Sequence, residues 1–206
     1  MGEHVNRETV ERRRDRLLEE YDPVEFHESS TSMDQAEFAD LRETTRGGYL
    51  GGGYAWVVRE PEQAAELTPS MPDDLDEEER VLMIMGRGSN RWGVAGGGRE
   101  SGETFEEAAV REVVEETGVD CEITDCFLLA HEIFRSEEPA DDEVHLLYVF
   151  FDAAYTGGHV EIQPGELNGA TWFAEPPERM HPANQFRARS FWADYEVEDP
   201  FAEYSE

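Results

Sequence analysis

Lysine is absent from the 206 residues. All 17 basic side chains are arginine, they face 49 aspartates and glutamates, and the formal net charge is −32. So little positive charge argues against nucleic-acid backbones and anionic membranes as partners, because both would be repelled. The one arginine cluster, Arg7, Arg12, Arg13, Arg14 and Arg16, is interleaved with Glu8, Glu11, Asp15, Glu19 and Glu20. That pattern reads as a solvated helix face laced with ion pairs. Cysteine is nearly absent too. Cys121 and Cys126 form no CxxC pair and have no His/Cys cluster around them, which argues against a zinc site built on thiolates. Five positions apart on a strand, they face opposite ways and read as core residues in a reducing compartment. Long apolar runs are missing: the longest nearly apolar one, Val144 to Phe151, is too short to cross a bilayer. The first residues, MGEHVNRETVERRRD, hold no apolar signal segment. A soluble, cytoplasmic protein is expected, with no internal repeat.

The acidic excess has a physical consequence. At a charge of −32 the folded chain repels itself in dilute buffer. At molar salt the screening length falls to about 3 Å and most of that repulsion disappears. The composition matches proteins of salt-loving microbes with a salt-filled cytoplasm.

The chain reads as an N-terminal helical extension, 1–48, followed by a main domain, 49–206. Residues 6–21 have helical periodicity, with Val10, Leu17, Leu18 and Tyr21 on one side. A second helix is expected after Ser32, with Gln35 completing a capping box, ending at Gly47-Gly48. Packing against the main domain or a partner subunit is the expected role of this extension, which leaves a homodimer open. Strands are expected at Tyr54–Val58, Arg80–Met85, 121–134, 143–153 and Ala170–Phe173. Between the first two, Pro61, Pro69, Pro72 and the acidic run Asp73–Glu79 mark a loop, with a short helix around 62–67. The acidic, aromatic tail 181–206 reads as a final helix or an irregular cover. Strands around one strong central helix predict a mixed α/β or α+β sandwich.

The chemistry is concentrated in GGGRESGETFEEAAVREVVEETGVD, residues 96–120. Thr104 and Glu107 form a helix-start signal, and Gly118 is a natural stop. On a helix of about 100° per residue, Ala109, Val110, Val113, Val114 and Thr117 are expected to face the core. Glu112, Glu115 and Glu116 are expected on the opposite side, at i, i+3 and i+4, above Ala108. Three gathered carboxylates repel one another unless a cation joins them. Hard oxygen ligands in this number suit Mg2+ or Mn2+. A solvated acidic face is the alternative. Gly96-Gly97-Gly98 just before the helix lets backbone approach a metal or a substrate. A nucleotide P-loop would need a Gly-Lys ending, and the chain has no lysine.

The stretch resembles the Nudix box, G-x5-E-x7-R-E-U-x-E-E-x-G-U. Gly97, Glu103, Arg111, Glu112, Val113, Glu115, Glu116, Gly118 and Val119 fill every fixed position. The likeness extends over roughly residues 50–175. It implies an α/β/α sandwich around a mixed sheet, and metal-dependent hydrolysis of a nucleoside diphosphate linked to another moiety. By motif position, Glu112, Glu115 and Glu116 are implied metal ligands, with Glu112 also a candidate base. Arg111 is implied to orient the carboxylates, with Glu103 as its partner, and the Gly96 carbonyl to complete the coordination. Many relatives carry Trp-x-x-Pro-Gly-Gly at the entrance. Here Ala95 replaces the proline, which puts the rigidity of the loop in question. Glu161 or Glu166 is expected to supply a further carboxylate, Glu161 being preferred.

The resemblance implies a small-molecule nucleotide substrate, without separating ADP-ribose, a nucleoside triphosphate, an oxidised nucleotide or a dinucleoside polyphosphate. Trp56, Phe134, Tyr148, Trp172 and Phe173 are candidates to stack on a base or to pack the core. The competing readings are a catalytically silent nucleotide-binding module, which would usually have lost box glutamates, and an isomerase of the isopentenyl-diphosphate type.

Overall fold

The computed structural model describes residues 2–63, 78–137 and 142–197. Most of the acidic run, the later part of the expected 62–67 helix and the end of the tail lie outside the described residues. The strands are β1 (His4–Val5), β2 (Glu25–Met33), β3 (Gly51–Arg59), β4 (Arg80–Gly86), β5 (Ala95–Gly98), β6 (Val119–Ser136), β7 (Glu143–Gly158) and β8 (Leu167–Phe173). The helices are α1 (Arg7–Glu20), α2 (Gln35–Arg46), α3 (Phe105–Thr117) and α4 (Pro182–Phe191), with a 3-10 turn at Pro61–Gln63. The strands hydrogen-bond in the order β2-β6-β7-β3-β4-β8, with β1 beside β7 and β5 beside β3. β2 runs parallel to β6, whereas β4 runs antiparallel to β3 and β8. The sheet is therefore mixed, as the alternation of strands with a central helix predicts.

The chain divides into two compact units. One is formed by Met1–Gly53, Gly97–Ala109 and Asp125–Phe151, the other by Tyr54–Gly96, Val110–Thr124 and Asp152–Glu206.

In the first unit, α1 buries Val10 and Leu17 completely, which satisfies its apolar face. Its charged face carries the expected ion pairs: Arg7 to Glu11 at 3.0 Å, Arg14 to Asp15 at 2.7 Å, and Arg16 to both Glu20 and Glu106. α2 begins later than the expected cap. Asp34, not Ser32, is its N-cap, accepting from the Ala36 and Glu37 amides at 2.8 and 3.1 Å. Ser32 is in β2, a strand that the sequence reading missed. Its residues, EFHESSTSM, are polar and mostly exposed, so no apolar alternation marks them. The parallel register with β6, Glu25 opposite Leu128 through Met33 opposite Ser136, holds them extended. The N-terminal segment thus contributes two strands as well as two helices.

Gly53 marks the closest approach of β3 to α3. A Cβ there would lie 2.3 Å from the Phe105 carbonyl oxygen and 3.1 Å from the Ala109 nitrogen. Both neighbours are backbone of the helix that carries the box. Gly53→Ala should therefore lower stability by about 1–3 kcal/mol, the usual scale of overpacking. Urea melts in molar salt would check it.

The second unit is built around aromatic side chains. Trp56 is fully buried, with ring centroids 5.6 Å from Phe191 and 5.4 Å from Trp192. Trp92 stands edge-on to Phe173 at 4.9 Å, and Tyr155 to Trp172 at 5.6 Å. Each such pair adds about 0.5–1.5 kcal/mol beyond its burial. α4 confirms the helical reading of the early tail; its Arg187 pairs with Asp152 at 2.6 Å. Cys121 is buried here, as Cys126 is in the first unit, and burial pushes the Cys121 thiol up to about 11. That keeps it protonated and unreactive.

Candidate active site

The helix carrying the box starts as its sequence dictates. The Thr104 amide donates to Glu107 Oε2 at 2.8 Å, and the Glu107 amide donates back to Thr104 Oγ1 at 3.1 Å. This is a complete capping box. The helix stops at Gly118, whose φ of 70° suits glycine and whose amide closes the last turn on the Val114 carbonyl. A Cβ at Gly118 would also lie 2.9 Å from the His159 carbonyl oxygen, so the loop after β7 passes too close for any side chain.

The helix is rotated relative to the expected wheel. Phe105, Ala108, Ala109, Val113 and Thr117 are buried, but Val114 is 40% exposed. At i, i+3, i+4 spacing, Phe105, Ala108, Ala109, Glu112, Val113 and Glu116 follow one stripe. Glu112 and Glu116 therefore border the apolar face instead of opposing it. Only Glu115, 55% exposed, points well into solvent. Helical spacing alone puts the three glutamates on one polar face. Burial separates them.

Glu116 is the residue most changed by this placement. It is half-buried, and burial, with Glu112 and Glu166 nearby, pushes its carboxyl up to about 7. The Gly96 amide donates to its Oε2 at 3.1 Å and opposes part of the shift. The structure thus brings Gly96 and Glu116 together. Arg111 bridges the other two carboxylates, donating to Glu112 Oε1 at 2.9 Å and Glu115 Oε2 at 3.0 Å. Glu103 Oε2 accepts from the Glu100 amide at 2.9 Å, which ties down the turn before the helix.

The segment expected to supply another carboxylate is pinned to the end of α3. The Glu161 amide donates to the Thr117 carbonyl at 2.8 Å and the Gln163 amide to the Glu116 carbonyl at 3.2 Å. The Glu161 side chain is 81% exposed, with His159 Nε2 3.8 Å away. Glu166, not Glu161, is the carboxylate of this segment that raises the Glu116 carboxyl. Its backbone carbonyl accepts from the Arg87 amide at 2.9 Å, which fixes the loop beside β4.

The entrance loop is held without proline. Gly93 exchanges two backbone hydrogen bonds with Ile84, at 2.8 and 2.9 Å. Trp92 donates to the Arg179 carbonyl at 2.8 Å and accepts from the His181 amide at 2.7 Å. Asn184, 2% exposed, accepts from the Val94 amide at 3.1 Å. Asn184 was invisible to the sequence reading, because a lone asparagine in a tail carries no motif. Of the five aromatic candidates, Trp56 belongs to the core, and Phe134 and Tyr148 pack against the cluster of Val5, Phe38, Val144 and Leu146. Trp172 and Phe173, on β8, are only partly buried.

The raised Glu116 carboxyl sets a pH dependence. A carboxyl held more tightly protonated in the folded state stabilises the fold below its ordinary value of 4.5. That contribution is lost as pH rises towards about 7. A divalent cation favours the ionised form, so adding one should remove the loss. Stability curves of chelator-treated protein from pH 5 to 8, with and without Mg2+, should therefore diverge towards the alkaline end. In Glu116→Gln the divergence should shrink.

Comparison with known proteins identifies the family. The NUDIX domain family matches residues 72–193, more than half of the chain and all of the box. The chain is 30% identical over 121 residues to a Bacillus subtilis (strain 168) protein called "Putative 8-oxo-dGTP diphosphatase", covering 55% of this chain and 74% of that protein. It is 32% identical over 96 residues to the nucleoside triphosphatase NudI of Escherichia coli O139:H28 (strain E24377A / ETEC), covering 44% of this chain and 66% of that protein. Among solved structures, a MutT NUDIX hydrolase from Burkholderia pseudomallei aligns with TM-score 0.47 and 20% identity, over 69% of this chain and 97% of the other. With the family match spanning the helix, its capping box and the glutamates that border the apolar face, the chain belongs to the Nudix family of pyrophosphohydrolases.

Proposed function

We propose that the protein hydrolyses a pyrophosphate bond of a nucleoside triphosphate, using Mg2+ or Mn2+. The observation that carries this reading is Glu116: a half-buried carboxylate held on the Gly96 amide, with Glu112 and Glu166 close enough to raise it. Such a cluster is costly without a cation and is relieved by one. The donors are all oxygens, the set that hard divalent cations take. Glu112, Glu115 and Glu116 would hold the metal with the Gly96 carbonyl, and Glu166 would replace Glu161 as the additional carboxylate. When bound, the cation supplies charge neutralisation for the phosphates and acidifies a water molecule.

The chain's own side chains provide the rest. Arg111 bridges Glu112 and Glu115 and restricts both carboxylates. Glu112 would take the proton from the attacking water. Glu103 orders the turn that leads into the helix. Trp172 or Phe173, partly buried on opposite faces of β8, would offer ring surface for a base. The names of the relatives, an 8-oxo-dGTP diphosphatase and a nucleoside triphosphatase, favour a triphosphate over a sugar-linked diphosphate.

The test is a substrate screen in molar KCl with Mg2+ or Mn2+, with phosphate products identified. It should include ordinary and oxidised (deoxy)nucleoside triphosphates, ADP-ribose and dinucleoside polyphosphates. A triphosphate should be turned over at least about tenfold more efficiently than ADP-ribose. A preference for ADP-ribose would overturn the substrate class, and no turnover of any would favour a silent binding module.

A further inference from the structure

A cluster of ligating side chains lies in the first unit and shares no residue with the box. β1 runs parallel to β7, with His4 opposite Glu143 and Val5 opposite Val144. Side chains alternate along strands. Val5 and Val144 therefore go to one face, where they pack with Phe38 and Leu146. His4, Glu143 and His145 share the other. There His4 Nδ1 lies 2.7 Å and His145 Nε2 3.3 Å from the same oxygen, Glu143 Oε2. The ligand atoms of all three residues lie within 4.8 Å of one another. Arg135 holds the other oxygen, Oε1, at 2.7 Å, so Oε2 is turned towards the two rings.

The chain of contacts continues inward. His145 Nδ1 lies 3.0 Å from His131 Nε2, and His131 Nδ1 lies 3.1 Å from Glu28 Oε2. Both rings are 2% exposed. A neutral imidazole carries one ring proton. Three junctions need a proton: Glu143 with His145, His145 with His131, and His131 with Glu28. Two neutral rings supply two. If His145 gives its proton to Glu143, a bare His131 nitrogen is left facing the Glu28 carboxylate. If both protons point towards Glu28, the bare Nε2 of His145 faces the Glu143 carboxylate. Consistent with such a conflict, His131 Nδ1 has no well-aligned hydrogen-bond partner despite its distance to Glu28.

A cation in place of the missing proton resolves the conflict. With His145 Nε2 as a ligand, its Nδ1–H donates to His131 Nε2, and the His131 Nδ1–H donates to Glu28. Metal-bound histidines typically donate their second ring nitrogen in this way to a fixed acceptor. Two imidazoles and a carboxylate with an open position suit Zn2+ far better than Mg2+. We propose that His4, Glu143 and His145 form a Zn2+ site that clasps β1 to β7, backed by His131 and Glu28 and separate from the catalytic carboxylates. The bound metal would stabilise the fold and take no part in hydrolysis.

The experiment uses full-length, metal-stripped protein in molar KCl with millimolar Mg2+ present to occupy the carboxylate site. Zn2+ is then titrated calorimetrically, and Co2+ is used as a spectroscopic substitute. One equivalent of Zn2+ should bind and raise Tm, and Co2+ should give the strong visible bands of a low-coordinate site. His4→Ala alters a ligand that is 37% exposed, so folding should survive. It should weaken Zn2+ at least about tenfold, erase the cobalt bands and leave nucleotide turnover unchanged. Glu143→Gln should weaken Zn2+ likewise. Failure of Zn2+ to bind in the presence of Mg2+, or equal binding by wild type and both variants, would overturn the site. So would histidine nitrogen resonances showing a doubly protonated His145 or His131 that Zn2+ does not change.

Discussion

Glu116→Gln should lower kcat at least about a hundredfold, the scale on which a key electrostatic group acts, and leave the protein folded. Glutamine keeps the size of the side chain and can still accept from the Gly96 amide, which Glu116 Oε2 now does at 3.1 Å. It removes the charge that a cation would use. Because burial and the carboxylates of Glu112 and Glu166 raise this carboxyl, the substitution also relieves repulsion. The metal-free variant should therefore be at least as stable as wild type above about pH 7. Loss of turnover combined with retained or improved stability separates a catalytic role from a structural one. Initial rates and thermal melts of the two proteins, measured side by side, would check it. Near-normal kcat in a folded variant would remove Glu116 from the chemistry.

Moving the protein from dilute buffer to molar KCl should raise Tm by on the order of 10 °C. The chain carries 49 acids and 17 arginines. Many of the arginines are already committed to exposed pairs, such as those of Arg7 and Arg16 along α1. Each exposed pair is worth less than about 1 kcal/mol, and a repulsive one costs a similar amount. Unbalanced acids are numerous, however, and a domain is stable by only about 5–15 kcal/mol. Screening a few kcal/mol of repulsion is therefore decisive, and for a chain of this size each kcal/mol moves Tm by about 2–4 °C. Activity should persist in molar salt and fall on dialysis against dilute buffer. A Tm that stays flat or drops as salt rises would contradict the reading of the composition as an adaptation to salt.

The box was legible because each of its parts has a local cause. The Thr104–Glu107 cap and the stop at Gly118 are set within about four residues, and the structure reproduces both. The strands with apolar alternation or continuous apolar runs were legible for the same reason. β2 was not, because its polar residues are held by a register against β6 that nothing within the segment signals. The burial of Val114 and Glu116 was misjudged because the direction in which a helix packs depends on its neighbours. Gly53 decides that direction in part, by admitting the Phe105 turn against β3. The influence of Glu166 on Glu116 depends on a loop whose backbone is fixed at both ends, by the Glu116 carbonyl and by the Arg87 amide. The pairing of His4 with Glu143 spans 139 residues and follows only from the parallel register of β1 with β7.

The central claim is that the carboxylates of one helix gather a divalent cation. Crystals grown in molar salt and soaked with Mn2+ test it directly through the anomalous signal of the metal. A peak in contact with Glu112, Glu115 and Glu116, beside the Gly96 carbonyl, is the expected result. A peak elsewhere, with these three carboxylates turned to bulk water, would contradict the account.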